Sequence, residues 1–329
     1  MADKQYVYAV ARIRSKELSL LSGAFLDQLT AAKNYDECIQ LLTEKGWGDD
    51  STKSAEALLA LEREKTWGLI SELVEDVSVF DVFLYGNDYH NLKAAIKEAV
   101  KAERTGHDYP GIFIDQGSVD VKLIRDSIQN REFQNLPEPM RGPAEEAYKA
   151  LLHTQDGQLC DIIIDKAALD AIYHAGKTSG NEFLKLYAEL TVAAADIKTA
   201  VRASRTGKDR AFLEQALAPC DTLDITRLAQ AAIEGVDAIG IYLESTTYAD
   251  AVEELRRSPS AFERWCDNLM IRKIKPQQYS PFGLGPLAAY ILARENEIKS
   301  VRIVLSGKLN HLPEESIRER VREMYRLEE

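Results

Sequence analysis

An all-α fold follows from three features of this 329-residue sequence. Apolar residues recur at i, i+3, i+4 and i+7 through most of its length, the spacing of one buried helix face. Strand-like runs are short and sit between helical stretches. Two different helical patterns also return at intervals of about 105 residues, the mark of an internal repeat.

Taken in order, Tyr6, Val10, Ile13, Leu18 and Leu21 outline a first helix from Tyr6 to about Ser22. Short helices follow at Ala24–Leu29 and Tyr35–Leu42, before a turn-rich loop from Gly46 to Ser51. Ser54–Trp67 and Leu69–Tyr85 are helical in composition. Gly86-Asn87-Asp88 breaks the chain, and Asp88 is placed as an N-cap for the stripe Leu92, Ala95, Ile96, Ala99 and Val100. Gly106 ends that helix, and Tyr109-Pro110-Gly111 opens a loop. Val119–Ile128 is a short helix, and Pro143 suits the first position of a helix from Ala144 to Leu152. Leu159–Ile164 has the composition of a strand but is a short apolar run, and helix is expected from Asp165 to His174.

The longest predicted helix spans Asn181–Arg205, with Phe183, Leu186, Tyr187, Leu190, Ala194, Ile197 and Val201 on one face. Further helices are expected at Ala211–Leu217, Ile225–Ile233, Tyr248–Arg256 and Ala261–Ile271. After a proline- and glycine-rich loop from Lys275 to Pro286, a closing hairpin begins. Its first helix carries Ile298, Val301, Val304 and Leu305; its second runs from Pro313 through Ile317, Val321 and Met324.

The repeat rests on two alignments. Asp36–Leu42, Glu145–Leu151 and Ala249–Leu255 share acid, small, apolar and leucine positions, and their final leucines are 109 and 104 residues apart. Asn91-Leu92-Lys93, Asp196-Ile197-Lys198 and Glu297-Ile298-Lys299 share a polar-apolar-Lys core, with lysines 105 and 101 apart and with Gly106, Gly207 and Gly307 following. A period this long is not that of a tetratricopeptide array and points to triplicated helical lobes with pseudo-threefold shape.

Composition excludes several classes. A net charge of −12 argues against general nucleic-acid binding, which needs a basic surface. Cys38, Cys160, Cys220 and Cys266 are scattered without a CxxC pair, as in a reducing compartment. No signal peptide is read at the N-terminus, and no apolar run reaches the roughly 18 residues of a membrane helix. Gly176-Lys177-Thr178 has Ala171 where a P-loop needs glycine, and no phosphate cradle is expected. The glycines at Thr206-Gly207-Lys208 and Ser306-Gly307-Lys308 are read as helix C-caps. The histidines lack metal-ligand spacing, and no catalytic constellation or cofactor site is read. Lys198, Arg202, Arg205, Lys208 and Arg210, facing Asp209 alone, form a local basic tract that suits a protein partner and equally suits a helix C-terminus, whose dipole stabilises basic residues.

With these residues in view, the chain resembles the C subunit of prokaryotic V-type and A-type ATPases, known in eukaryotes as the d subunit. YVYAVARIR (Tyr6–Arg14), NDYHNLKAAIK (Asn87–Lys97), LYAELTVAAADIKTAVR (Leu186–Arg202) and ENEIKSVRIVLSGKLNHLPEESIRERV (from Glu295) carry the resemblance, which covers essentially the whole chain. It implies a three-lobed funnel of helices: lobe 1 from residues 1–86 and 295–329, closed by both chain ends, lobe 2 from 87–190 and lobe 3 from 191–294. It also implies a non-catalytic, cofactor-free component on the cytoplasmic face of the membrane. There it would couple central-stalk shaft subunits to the membrane rotor ring of an H⁺- or Na⁺-transporting machine. An all-α enzyme with an unrecognised site, or a helical scaffold, is the alternative.

Arg12, Lys93, Lys198, Arg202, Lys299 and Arg302 are the candidate partner-interface residues, with Tyr6 beside them. The lysines also suit internal braces to neighbouring acids on a helix, and the brace reading is preferred.

Overall fold

A computed structural model describes residues 6–49, 52, 54–107 and 110–326. Asp50, Ser51 and Tyr109, expected in loops, lie outside the described residues, as do Met1–Gln5 and Leu327–Glu329. Among the described residues all regular structure is helical, with no strand. The chain divides into two compact units, one of residues 1–77 with 250–329, the other of residues 78–249.

The first unit opens with α1 (Val7–Glu17), α2 (Gly23–Ala31), α3 (Tyr35–Glu44) and α4 (Ala55–Leu73). The second holds α5 (Tyr85–Thr105), α6 (Val121–Gln129), α7 (Glu138–Thr154), α8 (Gly157–Thr178), α9 (Glu182–Arg205), α10 (Arg210–Ala216), α11 (Ile225–Glu234) and α12 (Val236–Glu244). The chain then returns to the first unit with α13 (Val252–Arg257), α14 (Pro259–Ile274), α15 (Gly285–Leu309) and α16 (Glu314–Arg318). Side-chain caps set many of these starts. Ser22, Asn34, Ser54, Asp120, Asp156, Asn181, Asp209, Asp224 and Ser258 each accept a backbone N–H from the first turn they precede.

In the first unit α15 is the axis. Its Ile298, Val301, Val304 and Leu305 are buried against Phe25, Leu26 and Leu29 of α2, Leu42 of α3, and Leu58 and Leu59 of α4. Trp47, Ile317 and Met324 complete that core, and α1 also packs on α15. Both ends of the described chain therefore meet one long helix. In the second unit Leu92 and Ile96 of α5 pack with Ile124 and Ile128 of α6, Met140 of α7, and Cys160 and Ile164 of α8.

Several expectations are corrected. The strand-like run Leu159–Ile164 is part of α8: Asp156 caps it, and Cys160 and Ile164, four apart, form a buried helical stripe. Asp88 is not an N-cap but a buried residue inside α5, which starts at Tyr85 and runs through Gly86. Pro143 does not begin a helix; α7 starts at Glu138. The amide that Pro143 lacks leaves the Pro139 carbonyl free, and the Tyr89 hydroxyl donates to it at 3.4 Å. The stretches Ser54–Trp67 and Leu69–Tyr85 are divided elsewhere, since α4 runs through Gly68 to Leu73 and a 3₁₀ turn follows at Val77–Phe83. Helix α12 has no counterpart among the expected helices.

Helix α9 is also buried differently from the predicted face. Ala188, Val192 and Ala193 are buried while Leu186, Tyr187, Leu190 and Ala194 are half-buried, because α8 covers one side and α11 and α12 another. Gly106 and Gly207 do adopt the left-handed backbone just past their helices, at φ 67° and 64°. Gly307 does not; it lies inside α15, where a Cβ would stand 2.6 Å from Ile317 Cγ1. The last helix is shorter than its periodicity implies, ending at Arg318.

Ile317 is thus the anchor of the closing segment. Ile317→Ala is expected to cost about 2–5 kcal/mol through lost burial and the cavity left against Gly307, read from the midpoint of urea unfolding. A variant as stable as the parent would show that this segment does not contribute to the core.

Candidate partner interface

The six candidate residues separate into paired and unpaired groups. On α5, Leu92, Ala95 and Ile96 are buried, which puts Lys93 at the edge of the packed face. Its Nζ donates to Asp165 of α8 at 2.6 Å and lies 4.0 Å from Asp161, while neighbouring Lys97 reaches Asp161 at 2.5 Å. On α15, Lys299 pairs with Asp267 of α14 at 2.5 Å, and Arg302 with Glu56 of α4 at 2.8 Å. These are braces, but between helices rather than along one helix.

Lys198 and Arg202 of α9 and Arg12 of α1 have no ion-pair partner among the described residues. Arg12 and Arg202 are exposed and Lys198 is half-buried. Arg202 lines a cavity of about 310 Å³ with Lys93, Asp161 and Asp165, Thr199 and Phe212. At its rim Lys208 donates to Gln158 at 2.6 Å and lies 5.2 Å from the Phe212 ring centre. The two acids are engaged by Lys93 and Lys97, so the free guanidinium of Arg202 makes the mouth electropositive. A guanidinium so placed can take a carboxylate through two parallel hydrogen bonds.

Beneath these surfaces lies a set of buried polar groups that sequence reasoning missed. Asn91, Asp196 and Glu297, the residues just before the aligned apolar-Lys pairs, are all buried. Each accepts a backbone N–H from a connecting segment: Ile114 to Asn91 at 2.8 Å, Ala218 to Asp196 at 3.0 Å, and Leu21 to Glu297. Further buried acids extend the clamps. Asp88 accepts from Val119 N–H at 3.1 Å and the Ser118 hydroxyl at 2.6 Å. Glu189 accepts from the N–H groups of Asp221 and Thr222 at 3.0 and 2.8 Å. Gly117 is required beside Asp88, because a Cβ there would collide with its carboxylate.

In the first unit the clamp is charged. Arg294 of α15 donates to Glu297 at 2.5 Å and to Glu62 of α4 at 2.6 Å, and stacks over Trp47 with 5.0 Å to the ring centre. Glu62 also accepts from Lys65 at 2.7 Å and from Gly48 N–H at 3.0 Å. Burial raises the carboxyl pKa of Glu297, against the opposing pull of Arg294. The sequence signal for this group is faint: Arg294 and Glu297 stand three apart, but Glu62 is 232 residues from Arg294.

Among the described residues no cluster of His, Cys, Asp or Glu could hold a metal ion, and no helix is long and apolar enough to cross a membrane. The arrangement is one of stiffly clamped helices carrying a few unpaired surface cations.

Known proteins resemble this chain over nearly its full length. The profile described as ATP synthase (C/AC39) subunit matches residues 9–320. The C subunit of the V-type sodium ATPase of Enterococcus hirae is 23% identical, covering 96% of this chain and 97% of that protein. The C subunit of the A-type ATP synthase of Methanocaldococcus jannaschii is 26% identical over 95% and 85%. Its counterpart in the V-type ATP synthase of Thermus thermophilus is 24% identical over 98% and 99%.

Removing the Arg294 guanidinium would leave Glu62 and Glu297 buried without their shared counter-charge. Arg294→Ala is expected to cost about 3–5 kcal/mol, measured by chemical denaturation at neutral pH. An unchanged midpoint would show that the Arg294 clamp on Glu62 and Glu297 does not stabilise the first unit.

Proposed function

The chain belongs to the ATP synthase (C/AC39) subunit family, and from that premise we propose that it is the non-catalytic socket of a rotary V/A-type ATPase. In this role it receives the central-stalk shaft and rests on the membrane rotor ring at its cytoplasmic face. It passes rotation between ATP chemistry and the movement of H⁺ or Na⁺, and it is the counterpart of the eukaryotic d subunit. The observation that carries the reading is the family match from residue 9 to residue 320, joined to relatives of the same length that are named as the C subunit.

A torque coupler needs a stiff body and two interfaces. We assign the body to three lobes, residues 1–86 with 295–329, 87–190 and 191–294, forming a funnel with pseudo-threefold repetition. Asn91, Asp196 and Glu297 support this reading, since aligned positions in three long helices each clamp a connecting segment by its backbone. Lys93, Lys299 and Arg302 serve mainly as braces, because their charges are already engaged by acids on neighbouring helices. Arg12, Lys198 and Arg202 are the contact residues, with charge left over for a partner. Arg202, beside its cavity, is the foremost of them.

The test is capture of purified shaft subunits and of the detergent-solubilised ring by the full chain at low salt. Binding to either partner is expected, weakening as salt screens the charges. Arg202→Glu is expected to weaken one of the two associations about tenfold or more, whereas Lys299→Ala leaves both affinities near their starting values. Failure to bind shaft and ring alike would overturn the socket reading; unaltered binding by Arg202→Glu would remove only the residue assignment.

A further inference from the structure

Asn91 on α5 and Asp196 on α9 hold corresponding places, each directly before an apolar residue and a lysine, and each is fully buried at 0% exposure. Each reaches a backbone segment that follows its helix at nearly the same distance along the chain, 23 residues for Ile114 and 22 for Ala218. Asn91 grips its segment twice. Its Oδ1 accepts from Ile114 N–H, and its Nδ2 donates to the Ile114 carbonyl, both at 2.8 Å.

Asp196 repeats only half of that grip. Its Oδ1 accepts from Ala218 N–H, but its Oδ2, equally buried, has no hydrogen-bond partner. An ionised carboxylate has no proton to donate to a carbonyl, and a charged oxygen without a partner is strongly disfavoured in an interior. A protonated carboxyl removes the charge, leaving a neutral group as buried as the amide of Asn91. We propose that Asp196 holds a proton on Oδ2 and clamps the Leu217–Asp224 segment as a neutral acid, its Oδ1 accepting from Ala218 N–H.

The surroundings favour the neutral form. Glu189, one helical stretch back on α9, faces the same segment, with Asp221 N–H, Thr222 N–H and the Thr222 hydroxyl as donors to it. From α8, Asp170 adds negative potential and Lys166 opposes it; Cys220 within the segment and Tyr248, bonded to Thr222, are the other titratable neighbours. Burial outweighs these charges and lifts the Asp196 carboxyl from 3.8 to about 7, against the Ala218 hydrogen bond. The folded state therefore binds this proton more tightly than the unfolded state. The resulting stabilisation is complete below 3.8 and is lost as the pH rises toward about 7.

Asp196→Asn tests the proposal in the full chain, since the amide is neutral at every pH. Urea unfolding of parent and variant is compared between mildly acidic and neutral pH. The ratio of their unfolding constants, parent over variant, is expected to rise about tenfold for each pH unit until it levels near neutrality. Taking the ratio cancels Glu297, which titrates in both proteins. A ratio independent of pH would overturn the proposal. Should the variant fail to fold, carboxyl-¹³C labelling of aspartates in the parent gives a second reading. One aspartate still protonated at about pH 6 is expected, and a spectrum with every aspartate ionised there would overturn it.

Discussion

A polar group taken out of water must find a partner inside the protein, and the long helices here are organised around that demand. α5, α9 and α15 each carry side chains that reach backbone N–H groups of connecting segments. Those N–H groups would otherwise be buried without partners, at a cost of about 1–3 kcal/mol each. One side chain thus satisfies the helix interior and fixes a loop at the same time. Apolar packing alone tolerates small slides; a buried hydrogen bond with one geometry does not, which gives these segments a single register.

The apolar architecture is legible in the sequence because burial and helical period coincide. Leu92, Ala95 and Ile96, and likewise Ile298, Val301, Val304 and Leu305, have the spacing of a buried face and are buried. Cap residues such as Ser54 and Asn181 act through contacts two or three residues away, so their sequence surroundings carry the signal. Leu159–Ile164 is misleading because β-branched isoleucines favour strands when taken alone, whereas the Asp156 cap and packing against α9 select helix. The buried polar groups are opaque for the opposite reason. Asp196 and Glu297 look like solvent-facing residues of an amphipathic helix, and the backbone groups that justify their burial lie 22 and 276 residues away.

The same separation in sequence explains the candidate interface. Lys93, Lys198 and Lys299 are equivalent in pattern, yet the first and last are engaged by Asp165 and Asp267 while Lys198 is not. No local feature distinguishes them, because the deciding acids stand on other helices. Internal ion pairs also change what a basic tract presents. Lys93 and Lys97 contribute little net field outside the fold, and Arg202, without an acid of its own, dominates the mouth of its cavity. A charge count along the chain overstates some positions and understates others.

The closing segment shows tertiary contacts overriding local preference. Ile317, Val321 and Met324 keep a spacing that a helix would satisfy, yet the helix stops at Arg318. Beyond it several polar groups, of side chain and backbone alike, have fixed partners. Arg322 donates to Asp267 at 2.8 Å, Glu323 N–H donates to Asn268 at 2.9 Å, and the Tyr325 hydroxyl meets Glu17 at 3.2 Å. Arg326 donates to the Leu18 carbonyl at 2.9 Å. A continued helix would turn these groups around its axis, so that only some could face α14 and α1 together. The extended path lets each reach its partner while Met324 and Tyr325 remain buried. The segment gives up a helical turn and gains a strap that binds the start of the described chain to its end, over the same helix whose buried charges hold α4 in place.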